Sequence, residues 1–239
     1  MDAIRNGNFT SSEIFRLMKT GRGKGGWSVD AQTYIDECNM ERRLKRSVEV
    51  QSDARPLSWG KCVELRAFET LGLEYTLCSD KTLQHPTIPF WVGSPDATTE
   101  ETVDDLKCPM TLNSFCNMVD PYIEDGNIIH EALTIEAVRS NHRDGDKFFW
   151  QIVSNAVLTG KKKGQLIVYV PYKDELEDIK SISEGNPDYY WIWSADHEKL
   201  PYLVREGDYK NINVIEFDIM EIDVKNLTNR VLECGELLM

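Results

Sequence analysis

Long hydrophobic runs are missing from this sequence. The longest apolar stretches hold only a few residues, far short of the ~20 needed to span a bilayer. The opening Met1-Asp2-Ala3-Ile4-Arg5-Asn6 lacks the apolar stretch of a signal peptide. A soluble, intracellular protein with no membrane partner is therefore expected. Paired cysteines are missing as well. Cys38, Cys62, Cys78, Cys108, Cys116 and Cys234 include no CxxC pair, and zinc or iron–sulfur sites usually place two ligands within a few residues of each other. Such scattered thiols read as small buried hydrophobes. Internal repeats and low-complexity segments are also absent. Positive charge is scarce: 27 Lys and Arg stand against 40 Asp and Glu, for a net charge of −13. Taken alone this argues against nucleic acid, whose phosphates are bound by Lys and Arg. A local basic groove is still compatible with it, and two basic stretches exist: Lys19 through Arg22 to Lys24 within a glycine-rich loop, and Lys161-Lys162-Lys163. The lysine triplet reads most simply as a solvated face. Glycines around Arg22 would let the backbone approach a ligand closely.

What is present is enough apolar mass for a large core. The chain has 239 residues, 41% of them hydrophobic, with 6 Trp, 9 Tyr and 8 Phe. At roughly 100–200 residues per domain, with α/β domains often larger, one domain over 1–239 is expected. Helices are expected over 10–20, with Thr10 and Glu13 as a capping box, and over 29–46, 57–71 and 146–159, with a closing helix over 219–233. Strands are expected over 73–79, 88–93, 103–107, 165–172, 189–193 and 212–217. Leu166-Ile167-Val168-Tyr169-Val170 is apolar throughout, as a central strand would be. The fold class is α/β (α+β), a mixed sheet flanked by helices.

The chemistry is concentrated in Gly93-Ser94-Pro95-Asp96, a polar loop, and Val103-Asp104-Asp105-Leu106-Lys107-Cys108-Pro109. Side chains alternate along a strand, so Asp105 and Lys107 share a face and Asp104 takes the other. If the strands pair, Asp96 and Asp105 lie side by side with Lys107 adjacent. Two carboxylates edged by an ammonium suit a hard divalent cation and a water. An acidic surface hairpin would show the same letters, and 40 acidic residues make chance occurrence easy. Three further elements point away from chance. Trp59-Gly60-Lys61-Cys62-Val63-Glu64 places Glu64 on the third helix. Phe148-Phe149-Trp150-Gln151 sets a polar Gln151 among large apolar neighbours, where a satisfied core amide is the plainer reading. Arg5-Asn6-Gly7-Asn8-Phe9-Thr10-Ser11-Ser12-Glu13 puts a base and hydroxyls before a helix, a combination that suits phosphate but also fits an ordinary cap.

In this order the motifs resemble the phage lambda exonuclease family, also described as YqaJ-type viral recombinases, among the PD-(D/E)xK nucleases. The resemblance runs from Arg5 to Tyr172 and carries R-x-G-x-x-T-x-S-E, W-G-K-x-x-E, S-P-D and (D/E)-L-K-C-P. It implies a restriction-endonuclease-like core. It further implies a deoxyribonuclease that digests one strand of linear duplex DNA from the 5′ end with two Mg²⁺ or Mn²⁺ ions. In that pattern Asp96 is the shared metal ligand, and Asp105 with the Leu106 carbonyl completes the first site. Glu64 is a further ligand, Lys107 holds the attacking water, and Gln151 helps to position the site. Arg5, Ser12 and Ser94 hold the 5′ phosphate, and Arg22 enters the minor groove. The family also implies phage-type recombination in the cytoplasm of a bacterial or phage-infected cell, a single-strand annealing protein as partner, and a homotrimeric ring around DNA ends. The sequence departs from the family in three places. Asp105 stands where Glu is usual, Val153 stands where a second Gln is frequent, and few residues precede Arg5. A structure-specific endonuclease would use the same catalytic residues, and an acidic interaction protein without catalysis is the non-enzymatic alternative.

Overall fold

The computed structural model describes residues 3–22, 26–48, 54–72, 74–78, 81–120, 122–124, 127–130 and 133–239. Its first half runs β1 (Phe9–Thr10), α1 (Phe15–Met18), α2 (Val29–Leu44), α3 (Arg55–Thr70), β2 (Thr76–Leu77), β3 (Leu83–Gln84), β4 (Trp91–Gly93), β5 (Ala97–Thr98) and β6 (Thr102–Lys107). The second half runs α4 (Leu112–Val119), β7 (Tyr122–Glu124), β8 (Asn127–His130), α5 (Ile135–Asn141), α6 (Gly145–Thr159), β9 (Lys163–Tyr169), α7 (Leu176–Ser183), α8 (Tyr190–Ser194), β10 (Ile212–Asp218) and α9 (Glu221–Gly235). Local chemistry sets several starts. The Ser28 side chain accepts the Ala31 N–H at the head of α2, Thr111 accepts Ser114 N–H at α4, and Thr134 accepts Ala137 N–H at α5, each satisfying an orphan amide.

The larger sheet has the order β10-β9-β6-β5-β2. Its β6–β9 pair is parallel, and β5–β6, β9–β10 and β2–β5 are antiparallel. Strand β9 is interior, between β10 and β6, and each face of it meets a separate core. Leu166 and Val168 join a cluster containing residues of α1, α2, α4, α5, α6 and α9, whereas Ile167 and Tyr169 pack with residues of α3, α7 and α8. Burial on both faces is why its sequence is apolar without alternation. A smaller sheet, β1-β4-β3, leads into the same region. Among the described residues no helix is long and apolar enough to cross a membrane.

The mixed sheet flanked by helices is as expected, and the main elements agree with the sequence reading to within three residues. The expected helix over 10–20 does not form. Phe9 is fully buried and pairs with Trp91 in a parallel ladder, with Thr10 opposite Val92. Thr10 is thus a strand residue, Glu13 N–H reaches the Thr10 carbonyl in a turn, and only Phe15–Met18 is helical. The expected strand over 189–193 is helix α8: Ile192 faces the core while Tyr190 and Trp193, three residues apart, are exposed. Strand 73–79 is reduced to Thr76–Leu77 at the sheet edge, residues 73 and 79 lying outside the described set. Helices α4 and α5 and the β7–β8 hairpin had no counterpart in the sequence reading.

Candidate functional site

The site forms where β4 turns into β5, beside β6. Ser154 on α6 ties this turn down: its hydroxyl accepts from Trp91 Nε1 at 2.8 Å and shares a hydrogen bond with Ser11 at 2.8 Å. Gly93 then passes so close to α6 that a Cβ there would stand 2.0 Å from Ser11 Oγ and 2.5 Å from Asn155 Oδ1. Only glycine fits that gap. Ser94, Pro95 and Asp96 therefore leave a rigid base.

Strand pairing sets the next contact. Ala97 lies opposite Asp104, which puts Asp96 beside Asp105 as the motif required. Asp96 Oδ2 accepts the Leu106 N–H at 2.7 Å. Asp105 is 1% exposed; one oxygen accepts Gln151 Nε2 at 2.6 Å, and the other meets Lys107 Nζ at 2.8 Å. Lys107 Nζ also stands 5.3 Å from the centre of the Phe148 ring, so α6 supplies both the amide that orients Asp105 and an aromatic wall for the lysine. Asp104 points away and takes the Thr102 hydroxyl at 2.6 Å.

Charge in this group is only partly balanced. Burial first, then Asp105, pushes the Asp96 carboxyl up to about 7, against the pull of Lys107 and the Leu106 N–H. Glu64, half-buried on α3, is also raised, by burial and by Asp105, with Lys107 and Lys61 opposing. Burial works against the Lys107 ammonium, but Asp105 and Asp96 outweigh it and hold its pKa above the ordinary lysine value. Carboxylates kept from ionising freely by one another gain from an added cation. Among the described residues, no group of three or more His, Cys, Asp or Glu side chains is disposed to hold a metal ion. The donor chemistry nonetheless fits a hard divalent cation, because Asp96, Asp105, Glu64 and the Leu106 carbonyl offer oxygen only.

Two residues before Asp96 lies a second feature. Arg5 Nη1 donates to Ser94 Oγ at 3.2 Å and Nη2 to Ser12 Oγ at 3.3 Å. These groups line a cavity of about 670 Å³ together with Lys61, Thr82 and Tyr34. Nearby acids are engaged elsewhere: Glu37 pairs with Arg16 at 2.6 Å, and Glu41 accepts backbone N–H groups. The Arg5 guanidinium thus meets neutral hydroxyls, an arrangement suited to an anion. The hydroxyls do not stand at a helix N-terminus, as the sequence had suggested, because α1 begins at Phe15.

No family model matches the sequence, and no curated protein matches it. Solved structures do. An alkaline exonuclease, LHK-Exo from Laribacter hongkongensis, superposes with a TM-score of 0.60 at 15% identity, over 98% of this chain and 90% of that one. LHK-Exo in complex with dAMP gives 0.59 at 15% identity, with the same coverage. A phage-related exonuclease from Haemophilus somnus gives 0.62 at 11% identity, over 96% of this chain and 92% of that one. The chain has the alkaline-exonuclease fold.

Within this restriction-endonuclease-like fold, the structure brings Asp96, Asp105, Lys107 and Gln151 together, with Glu64 facing them, and gathers Arg5, Ser12 and Ser94 alongside. Arg22 is exposed, and residues 23–25 of its loop lie outside the described set. Val153, at the position of the missing second glutamine, is fully buried in the core. The lysine triplet is occupied in part: Lys161 donates to the Glu100 carbonyl at 2.7 Å, and Lys163 pairs with Glu216 at 2.9 Å. Cys108 borders the site, where burial and the charges of Glu64 and Asp96 push its thiol up well beyond the ordinary value, so it stays protonated. The sequence reading missed Thr82, whose hydroxyl lies 3.1 Å from that of Ser94. It also missed Lys61, quoted within its motif but given no role, and Thr10 with Tyr34, whose hydroxyls are 3.3 Å apart. Thr82 and Tyr34 lay outside every quoted motif, whereas Lys61 and Thr10 stood inside motifs without being assigned to this cavity.

Proposed function

We propose that this protein is a divalent-metal-dependent deoxyribonuclease, an exonuclease that degrades linear duplex DNA from its 5′ end. The observation that carries this reading is the adjacency of two features along one short stretch: an anion cradle at Arg5, Ser12 and Ser94, and a carboxylate–lysine centre beginning at Asp96. An end-cutting enzyme needs both, one to seat the terminal phosphate and one to hydrolyse the next.

Asp96, Asp105, the Leu106 carbonyl and Glu64 would hold two Mg²⁺ ions, with Mn²⁺ an acceptable substitute for an all-oxygen set. Bound metal ions would supply charge neutralisation at phosphorus and lower the pKa of a water. Lys107 holds that water at its ammonium and aims it at the phosphorus. Gln151 keeps Asp105 turned toward the centre. Water oxygen bonds to phosphorus, the bond to the 3′ oxygen of the terminal nucleotide breaks, and that oxygen takes up a proton. A deoxynucleoside monophosphate leaves, the class of molecule present in the LHK-Exo complex with dAMP. The shortened strand again ends in a 5′ phosphate, ready for Arg5. On this reading residues 1–239 act as one nuclease domain in the cytoplasm of a bacterial or phage-infected cell, in phage-type recombination. Arg22 would enter the minor groove, a single-strand annealing protein would receive the exposed strand, and three copies would enclose the duplex.

The test uses purified protein and its Lys107→Ala variant, each with magnesium, on a linear duplex bearing 5′ phosphates and on the same DNA as a closed circle. The expected outcome is loss of the linear form by the wild type alone. Cutting of the circle would replace the reading with an endonuclease. No cleavage of either form, with magnesium or manganese, would leave an acidic interaction protein on a nuclease fold.

A further inference from the structure

The cradle depends on a residue outside it. Arg5 lies on a short 3-10 turn, Ala3–Arg5, and reaches β1 through Asn6, Gly7 and Asn8. Gly7 has φ +72°, and a Cβ there would stand 2.4 Å from Arg42 Cγ. Its backbone is gripped on both sides by consecutive residues of α2. Glu41 Oε2 accepts the Gly7 N–H at 2.7 Å, and Arg42 Nε donates to the Gly7 carbonyl at 2.7 Å. Arg42 also reaches Asn8 Oδ1 at 3.2 Å, and Asn8 closes the turn by donating to the Ile4 carbonyl at 2.7 Å. The far side of α2 is pinned in turn, since Asn39 Nδ2 donates to the Leu237 carbonyl at 3.0 Å.

From this arrangement we infer that Arg42 is a positioning residue for recognition of the 5′ phosphate: it locks the Gly7 hook so that the Arg5 guanidinium meets the phosphate already aimed. The inference rests on the phosphate-cradle reading above. Arg5 has few anchors of its own, and its contacts with the two serines are long, at 3.2 and 3.3 Å. A small misplacement of a binding group far from the chemistry can carry a large cost in rate. Arginine suits the task because its planar fork serves two acceptors at fixed spacing, which lysine cannot do.

The experiment compares kcat and KM on linear duplexes with 5′-phosphate and 5′-hydroxyl ends, for the wild type, Arg42→Ala, Arg42→Lys, Arg5→Ala and the Arg5→Ala/Arg42→Ala pair. Arg42→Ala should raise KM about tenfold on phosphorylated ends, leave kcat within about twofold, and leave the rate on hydroxyl ends unchanged. Arg42→Lys, which keeps the charge and one donor, should fall between and guards against a folding defect in the alanine variant. In the Arg5→Ala background, removing Arg42 should add nothing, as expected of residues acting through one another. Equal loss on both end types, an unchanged preference in Arg42→Ala, or additive loss in the double variant would each overturn the inference while the cradle stands. A wild type indifferent to the 5′ phosphate would overturn cradle and inference together.

Discussion

Gln151 is the residue on which the orientation of Asp105 turns. It is nearly buried and spends its amide on one carboxylate oxygen at 2.6 Å. If Asp105 is a metal ligand as proposed, Gln151→Ala should leave the fold intact and lower kcat by about 10- to 100-fold, the usual cost of losing a group that orients such a ligand; wild-type turnover in this variant would remove Gln151 from the site. Asp104 gives an opposite kind of prediction. It is 1% exposed, and burial, eased by Thr102 and Lys161, raises its pKa from 3.8 to about 6. An acid whose folded pKa lies above its unfolded value favours the fold while protonated. That contribution is complete below the unfolded pKa and is lost as pH rises through about 6. Asp104→Asn can keep the Thr102 contact without the charge, so it should be more stable than wild type at pH 8 by about 1–3 kcal/mol, with the gap closing toward pH 4. Thermal unfolding at the two pH values checks this, and a gap independent of pH would assign the effect to packing.

At the scale of elements, α6 is the structural support of the site. One face of it offers Gln151 to β6 and Ser154 to β4 and the turn before α1. Ser154→Ala would strand the Trp91 indole N–H in the interior and leave the Ser11 hydroxyl only its 3.4 Å contact with the Val92 carbonyl, at a cost of about 1–3 kcal/mol. Urea unfolding should show an earlier midpoint with an unchanged slope; an unmoved midpoint would mean that the network carries no net stability. The carboxylate–lysine face was legible in the sequence because it depends on local rules. Strand alternation alone puts Asp105 with Lys107 and against Asp104, and antiparallel pairing brings Asp96 across. Arg5 and its neighbouring hydroxyls were locally readable as an anion-suited group, but Ser94 joined them only through resemblance, since Arg5 and Ser94 are 89 positions apart. Thr82, Tyr34 and Arg42 carried no sign at all, because their roles arise when β1 docks on β4 and α2 covers the hook. Helix 10–20 was misread for the same reason: its apolar spacing is helical, but parallel pairing with Trp91 and burial of Phe9 outweigh local preference. The aromatic run at 189–193 looked like a strand by composition, while its pattern of exposure follows a helical turn.

At the scale of the molecule, a net charge of −13 means that a polyanion such as the proposed DNA substrate would be repelled by most of the surface and admitted at few places. Lys163 is paired with Glu216, Arg16 with Glu37, and Arg205 with Asp174 at 2.7 Å, so many cations are already neutralised. Affinity should consequently depend weakly on ionic strength. A plot of log affinity against log salt, measured by anisotropy with the Lys107→Ala variant, should have a slope of about −2 to −3, corresponding to two or three phosphate contacts. A slope of −6 or steeper would indicate a broad basic track that the charge distribution does not suggest.

If the proposed function holds, the stretch Ser94-Pro95-Asp96 also acts as a ruler. Pro95 keeps Ser94 out of helical backbone, and two extended residues span roughly 7 Å, the order of the interval between consecutive phosphates along one strand. On the proposed exonuclease reading, seating one phosphate at Ser94 would present the next at Asp96. Product length would then be fixed by covalent geometry, each cut advancing the register by one nucleotide.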